Sequence, residues 1–274
     1  MAAVVNALDL RGITCTFPAP SKRAAPYTAV RDVDLNLGDG EFAAIVGPTG
    51  CGKSTLLNVA AGLLAASSGT VEIFGEKLSG LNRRAGYMFQ AEALLPWLTA
   101  RGNVAFGLEL RGVSRREAAQ RADAWLERVG LAGFGERYPK QLSGGMKKRV
   151  ALAQVLVLEP KILLMDEPFS ALDIQTRQLM ENELLDMWSA DRKSVFFVTH
   201  DLEEAISLAD RVVVMSSGPA TRPVAEFTVD IPRPRDVTEI VQSPHYLDLH
   251  RRIWDILKKE VLRSYERGKT LSAA

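Results

Sequence analysis

The chain has 274 residues, of which 47% are hydrophobic and 24% charged, a balance that supplies a sizeable core and excludes disorder, collagen-like repeats and coiled coil as whole-chain descriptions. Its 34 Lys and Arg stand against 33 Asp and Glu, a net charge of +1, so no global field draws it to nucleic acid or lipid, and no nucleic-acid partner is expected. Two cysteines, Cys15 and Cys51, cannot build a disulfide framework and suit a reducing compartment.

In chain order, the N-terminal MAAVVNALDLRG has no cationic start before its apolar residues, and the apolar run Leu56–Ala66 is too short to span a bilayer; neither export nor membrane spanning is expected. Glu41–Gly47 (EFAAIVG) predicts a buried strand ending in glycine, and Leu56–Leu64 continues with helical spacing. Between Ala91 and Lys140 the sequence turns charged and helix-forming. Within Ser114–Val129, residues Ala118, Ala122, Trp125 and Val129 recur at helical spacing, which predicts a helical subdomain inserted into an α/β core. Three further short apolar runs, Ile162–Met165, Val195–Val198 and Val212–Met215, predict buried strands; the first ends in Asp166 and Glu167, the second in Thr199 and His200. Strands of this kind separated by helices predict a mostly parallel sheet whose carboxyl edge binds ligands. After a Pro- and Arg-rich segment (IPRPR, Ile231–Arg235), a last helix is predicted over Tyr246–Tyr265. Seven Lys or Arg between Arg251 and Lys269 accompany an apolar stripe of Ile253, Trp254, Leu257, Val261 and Tyr265. Such a helix either packs that stripe on its own domain or lays it against anionic lipid headgroups.

Two motifs carry the chemistry. Gly47–Thr55 reads GPTGCGKST, a full phosphate-binding loop between a predicted strand and a predicted helix. The small residues Gly47, Gly50 and Gly52, with Pro48, Thr49 and Cys51 between them, let backbone N–H groups turn toward phosphate oxygens. The helix N-terminus adds its positive end, Lys53 reaches the β- and γ-phosphates of a nucleoside triphosphate, and Ser54, followed by Thr55, ligates magnesium. Cys51 is read as a small neutral filler. At the end of ILLMDEP, Asp166 and Glu167 place two carboxylates on an apolar strand, where charge is costly without a cation or hydrogen bonds. Asp166 is expected to hold Mg2+ and Glu167 to polarise the water that attacks the γ-phosphate.

Leu142–Met146 reads LSGGM and resembles the signature of ATP-binding cassette (ABC) ATPases, and the remaining family elements follow in order over residues 4 to about 260. The resemblance implies an α/β phosphate-loop NTPase core with an antiparallel β subdomain and an inserted helical subdomain at about 91–150, the ATPase domain at 4–245, and a helix and tail at 246–274. It implies that Gln90 senses magnesium, His200 is a switch histidine, and Ala171 to Asp173 form a dimer-contact loop. It further implies that Ser143, Gly144 and Gly145 of one copy complete the ATP site of a second. Phe17 lies where an adenine-stacking aromatic is expected, with core packing as the competing role and Tyr27, beyond the PAPSKRAAP insertion, as another candidate. Lys148 and Gln154 stand where the family often has glutamine and arginine, and Met146 replaces the signature glutamine; altered tuning is expected, with activity retained.

LLPWLTARGNV (Leu94–Val104), RYPKQLSGGM, MDEPFSALD and VTHDLEEAISLADRVVVMS resemble importers of the nitrate, sulfonate and taurine type. In them Leu94, Leu95, Pro96 and Trp97 would be exposed residues docking a membrane permease subunit, with an external solute-binding protein in the same system. The chain would sit peripherally on the cytoplasmic face of the inner membrane. An ABC ATPase of assembly or regulation without a permease is the alternative. Chromosome-structuring relatives would need a coiled-coil insertion between Lys53 and Ser143, where no heptad seam exists, and translation factors a second phosphate loop.

Overall fold

The structure is a computed structural model that describes residues 5–19, 25–91, 93–170 and 172–272. The expected domain start at residue 4, part of the 18–26 insertion, and Ala171 of the expected dimer-contact loop lie outside them. The elements are β1 (Leu8–Phe17), β2 (Tyr27–Leu37), β3 (Phe42–Val46), α1 (Lys53–Ala60), β4 (Ser68–Ile73), β5 (Glu76–Lys77), β6 (Ala85–Met88), α2 (Ala100–Leu110), α3 (Arg115–Arg128), α4 (Gly144–Leu156), β7 (Ile162–Asp166), α5 (Ile174–Ala190), β8 (Ser194–Val198), α6 (Leu202–Leu208), β9 (Arg211–Met215), β10 (Pro223–Thr228), α7 (Val237–Ile240) and α8 (Pro244–Ser272).

Every residue of β3 is buried, and its pleat sends Phe42, Ala44 and Val46 to one side and Ala43 and Ile45 to the other. A strand apolar on both sides needs cover on both. One cluster joins Phe42, Leu163, Phe197 and Val212 to α4, α5, α6 and the first half of α8; the other joins Ile45, Leu164, Phe196 and Val213 to α1 and the strands of a second sheet. The central sheet has the order β10-β9-β3-β8-β7-β6, with β9, β3, β8, β7 and β6 parallel and β10 antiparallel at the edge. The second sheet, β2-β1-β4-β5, is antiparallel throughout. This is the α/β architecture expected, with its antiparallel companion.

Three helix boundaries differ from expectation, the last helix running from Pro244 to Ser272, beyond the expected Tyr246–Tyr265. The helix after the phosphate loop ends at Ala60, short of Leu64, because the chain turns at Gly62 (φ +70), where a Cβ would lie 2.0 Å from the Gly80 carbonyl oxygen. The signature helix α4 runs on to Leu156, since Val150, Leu152, Ala153 and Leu156 are all buried. Helices α2, α3 and α4 share a third core built on Val104, Leu108, Ala122, Leu126, Val150 and Val157. Among the described residues no helix is long and apolar enough to cross a membrane.

Behind β8, α5 and α6 bury two carboxylates, Glu181 (5% exposed) and Glu204 (2%). Glu204 accepts a 2.6 Å hydrogen bond from the Thr199 hydroxyl, while Arg177 pairs with Asp201 at 2.8 Å and lies 3.7 Å from Glu204. Burial, reinforced by the charges of Glu204 and Asp201, pushes the Glu181 carboxyl up to about 8, and burial pushes Glu204 upward as well. A carboxyl whose folded pKa is raised contributes stability that is fully present below its unfolded value near 4.5 and is lost as pH rises toward 8. Glu181→Gln should therefore match the wild type in urea unfolding at about pH 4 and exceed it by on the order of 1–3 kcal/mol at about pH 8.5. Parallel pH profiles for the two proteins would refute the assignment.

Candidate functional site

The site lies along the carboxyl edge of the parallel strands, where β3, β7, β8 and β6 each give way to a functional turn. After β3, Gly50 (φ +74) and Gly52 (φ +95) hold left-handed backbone that L side chains rarely adopt, and a Cβ on Gly52 would come within 2.7 Å of a Val30 methyl on β2. The loop is thus pressed against the antiparallel sheet as it enters α1. Lys53, 5% exposed, folds back along the loop and donates to the carbonyls of Gly47 (2.8 Å) and Pro48 (3.2 Å). Thr49 and Gly50 are exposed, Thr55 is half-buried, and Cys51 is buried against Gly47, where a Cβ would meet its Sγ at 2.9 Å. Burial raises the Cys51 thiol above its ordinary pKa, as a packed filler requires.

After β7, Asp166 accepts a 2.9 Å hydrogen bond from the Ser54 hydroxyl. Burial raises its carboxyl, opposed by the Ser54 hydrogen bond and aided by the charge of Glu167. Two hard oxygen donors side by side, one of them a carboxylate whose charge is penalised by its surroundings, fit Mg2+, which binds such oxygens and would offset that penalty. Glu167 has a left-handed backbone (φ +46), a strained conformation for a residue with a side chain, held by its N–H bond to the Val198 carbonyl (2.8 Å). In this conformation its Oε2 accepts from the Gln90 amide at 3.1 Å and lies 3.1 Å from His200 Nδ1. Donation through nitrogen leaves the Gln90 amide oxygen available as a metal ligand. The turns after β6, β7 and β8 thus meet at one carboxylate.

Ser143 and Asp173 stand apart from this cluster. Ser143 N-caps α4, its hydroxyl accepting from the Met146 N–H at 3.3 Å, and with Gly144 it is exposed at the helix start. Asp173 N-caps α5 through the Thr176 N–H at 3.0 Å, a bond that holds its carboxyl below the usual range. A Cβ on Gly145 would sit 2.8 Å from the Thr176 methyl, so the two capped helices are packed together. Among the described residues neither Ser143 nor Asp173 hydrogen-bonds to the phosphate loop. Phe17 ends β1 directly opposite Tyr27, and the two residues are 37% and 47% exposed, so Phe17 stands outside the core.

The segment 94–97 departs from expectation in part. Pro96 and Trp97 are exposed, but Leu94 and Leu95 are only half-exposed, and Leu94 packs where the two cores beneath α4 meet. Its shape is set by Asn103, which the sequence reading passed over. Fully buried, Asn103 accepts from Leu95 N–H (2.7 Å) and donates to the carbonyls of Leu95, Leu98 and Thr99 (3.0–3.1 Å). The signal available was a lone amide on the face of α2 that also carries Ala100, Val104 and Leu108. Lys148 also finds its explanation here: fully buried, it donates to the Gln90 carbonyl at 2.5 Å and tethers α4 to the turn after β6.

Gly52→Ala should abolish nucleotide binding at ordinary concentrations by straining the loop, and Lys53→Ala should weaken it by about 10–100-fold; both are read by equilibrium binding of a fluorescent ATP analogue, where unchanged affinity counts against the loop assignment. Asn103→Ala should lower the thermal midpoint, at a cost of ~1–3 kcal/mol, because several backbone groups lose their partner together; calorimetry checks it.

The family model described as ABC transporter matches residues 30–170. The nitrate import ATP-binding protein NrtD of a Synechocystis species is 43% identical over 235 residues, 84% of this chain and 88% of the relative. The bicarbonate transport ATP-binding protein CmpD of Synechocystis is 38% identical over 252 residues, 91% and 88% of the two chains. A solved dimeric structure, the ATP-binding cassette MJ0796 in a post-hydrolysis state bound to ADP and Pi, superposes with a TM-score of 0.72 at 32% identity, covering 82% of this chain and all of that one.

Proposed function

We propose, on the premise that this chain belongs to the ABC transporter ATPase family, that it drives uptake of nitrate, a sulfonate, taurine or a related small solute as the ATPase subunit of an importer. It is an ATPase by that membership, and the relatives named for nitrate import and bicarbonate transport support a small anionic solute. Two copies would work head to tail on membrane permease subunits at the cytoplasmic face, served by an external solute-binding protein. Pro96 and Trp97, over the scaffold of Leu94, Leu95 and Asn103, would receive the permease. A second class of ABC protein, acting in assembly without a permease, differs in having no membrane partner to co-purify.

One observation carries the head-to-tail reading: the chain keeps two anion-binding helix ends apart. The N-terminus of α1, with Lys53, lies on the carboxyl edge, while among the described residues the Ser143-capped N-terminus of α4 makes no hydrogen bond to that edge within its own chain. An ATP held by Gly47–Thr55 of one copy would be closed over by Ser143, Gly144 and Gly145 of the second, with Asp173 at the junction and Phe17 or Tyr27 against the adenine.

Ser54, Asp166 and the Gln90 amide oxygen would hold Mg2+, which supplies charge neutralisation for the phosphate oxygens when bound. Glu167 accepts the proton of the attacking water, or polarises that water, as the bond to the γ-phosphorus forms and the bond to the bridging oxygen breaks. His200 and Gln90, each within 3.1 Å of the same Glu167 oxygen, fix the carboxylate in position. Loss of the γ-phosphate removes the anion shared by the two copies, and they separate.

Glu167→Gln should keep ATP affinity, accumulate a dimer in Mg-ATP, and lose turnover by on the order of 10²–10⁴-fold; undiminished hydrolysis would sink the role given to Glu167. Co-purification of the tagged chain with a membrane subunit tests the importer reading, and loss of that subunit on Trp97→Asp tests the docking surface.

A further inference from the structure

The helix α8 splits the apolar stripe expected on it. Tyr246, Leu249, Ile253 and Leu257 are buried in the core beside α6, and buried Glu260 accepts the Ser217 N–H at 2.8 Å. Arg267 donates to the Gly218 carbonyl, so the second half of the helix is held at two points to the turn that leaves β9. Trp254, Val261 and Tyr265 take no part in this packing and remain 44%, 41% and 62% exposed. They form a row on one side of α8 that ends beside the phosphate loop. Together with Pro48, Thr49 and His200 they line a cavity of about 820 Å³. Trp254 also borders a neighbouring cavity of about 530 Å³, with exposed Ile174 at the start of α5, His200 and the residues that follow it.

Two aromatics and a valine left partly exposed beside a catalytic edge, with Lys269 Nζ 4.7 Å from the centre of the Tyr265 ring, offer apolar area that is gained when something covers them during the working cycle. Trp and Tyr are also the side chains that dominate contact energies between proteins. The row is continuous with the surface that must receive the second copy, because Pro48, Thr49 and His200 belong to both. Ile174 follows Asp173, the residue at the junction between copies, and borders the cavity that Trp254 borders.

We propose that Trp254, Val261 and Tyr265 of α8 are a contact surface for a second copy of this chain, seated when that copy closes over the phosphate loop. This rests on the head-to-tail reading above. It gives the C-terminal helix a role in the affinity of the closed pair: the phosphate-bridged contact supplies the dependence on ATP, and the aromatic row adds apolar area covered only when the pair is closed.

The test uses the full chain with Glu167→Gln in Mg-ATP, followed by sedimentation velocity across a concentration series. Adding Trp254→Ala and Tyr265→Ala should raise the dimer dissociation constant about tenfold or more, leave ATP affinity of the monomer unchanged, and leave the thermal midpoint unchanged because both side chains lie outside the core. The conservative Trp254→Phe should retain most of the dimer affinity. An unchanged dimer constant overturns the proposal. So does a tighter dimer, which would make α8 a strap that hinders pairing. So does a defect confined to sedimentation with anionic phosphatidylglycerol vesicles, which would make the row a lipid contact. If the parent Glu167→Gln protein stays monomeric in Mg-ATP, the head-to-tail reading itself fails and this proposal with it; if the parent pairs and the α8 variants pair equally well, the α8 contact alone fails.

Discussion

Parallel register is the constraint on which this protein depends. Because β6, β7, β8 and β3 run in the same direction and pair in near-register, the residues that follow Met88, Asp166, Val198 and Val46 emerge along one edge of the sheet. Strands spaced about 5 Å apart bring the turns after β6 and β8 to either side of the turn after β7. The Glu167 carboxylate, turned by a left-handed backbone, then lies within hydrogen-bond reach of Gln90 on one flank and His200 on the other. A single antiparallel strand in that series would send its turn to the opposite edge. The burial of each strand on both faces keeps the register from slipping, since a one-residue slip would exchange the residues of the two cores.

Charge in this molecule is placed where helix ends and short hydrogen bonds can hold it. Ser114, Ser143, Asp173 and Asp201 each cap a helix by accepting from backbone N–H groups. Lys148 and Arg177 are two of the long cations that join elements: Lys148 from α4 to the Gln90 turn, and Arg177 from α5 to the turn after β8 through Asp201. The helical subdomain and the core are therefore linked at the very turns that meet at Glu167. A change at the phosphate end can reach α4 through Gln90 and Lys148 by contiguous hydrogen bonds, and movement of α4 carries Ser143 and the Asn103-fixed loop with it.

The chain's own sequence determined the four apolar strands around the phosphate loop, the loop itself, the paired carboxylates and the charged helical insertion, because each is encoded by residues close together in the chain. Buried parallel strands read as continuous apolar runs, and GPTGCGKST carries its mechanism in its spacing. The antiparallel sheet carries a period-2 signal in Leu8–Arg11 (LDLR) and Val33–Leu37 (VDLNL) that went unread, and register shifts around Ile13 and Cys15 break the alternation of β1 after Arg11. It came through family resemblance alone. Tertiary structure decided what depends on residues distant in the chain. It put Gln90, Glu167 and His200 on one carboxylate, gave Asn103 and Lys148 their buried partners, and exposed Phe17 opposite Tyr27. It also divided the stripe of α8 into a half that packs and a half that faces the phosphate loop. No local pattern specifies which side of an amphipathic helix a neighbouring sheet leaves uncovered, since that follows from where the sheet's edge falls in space.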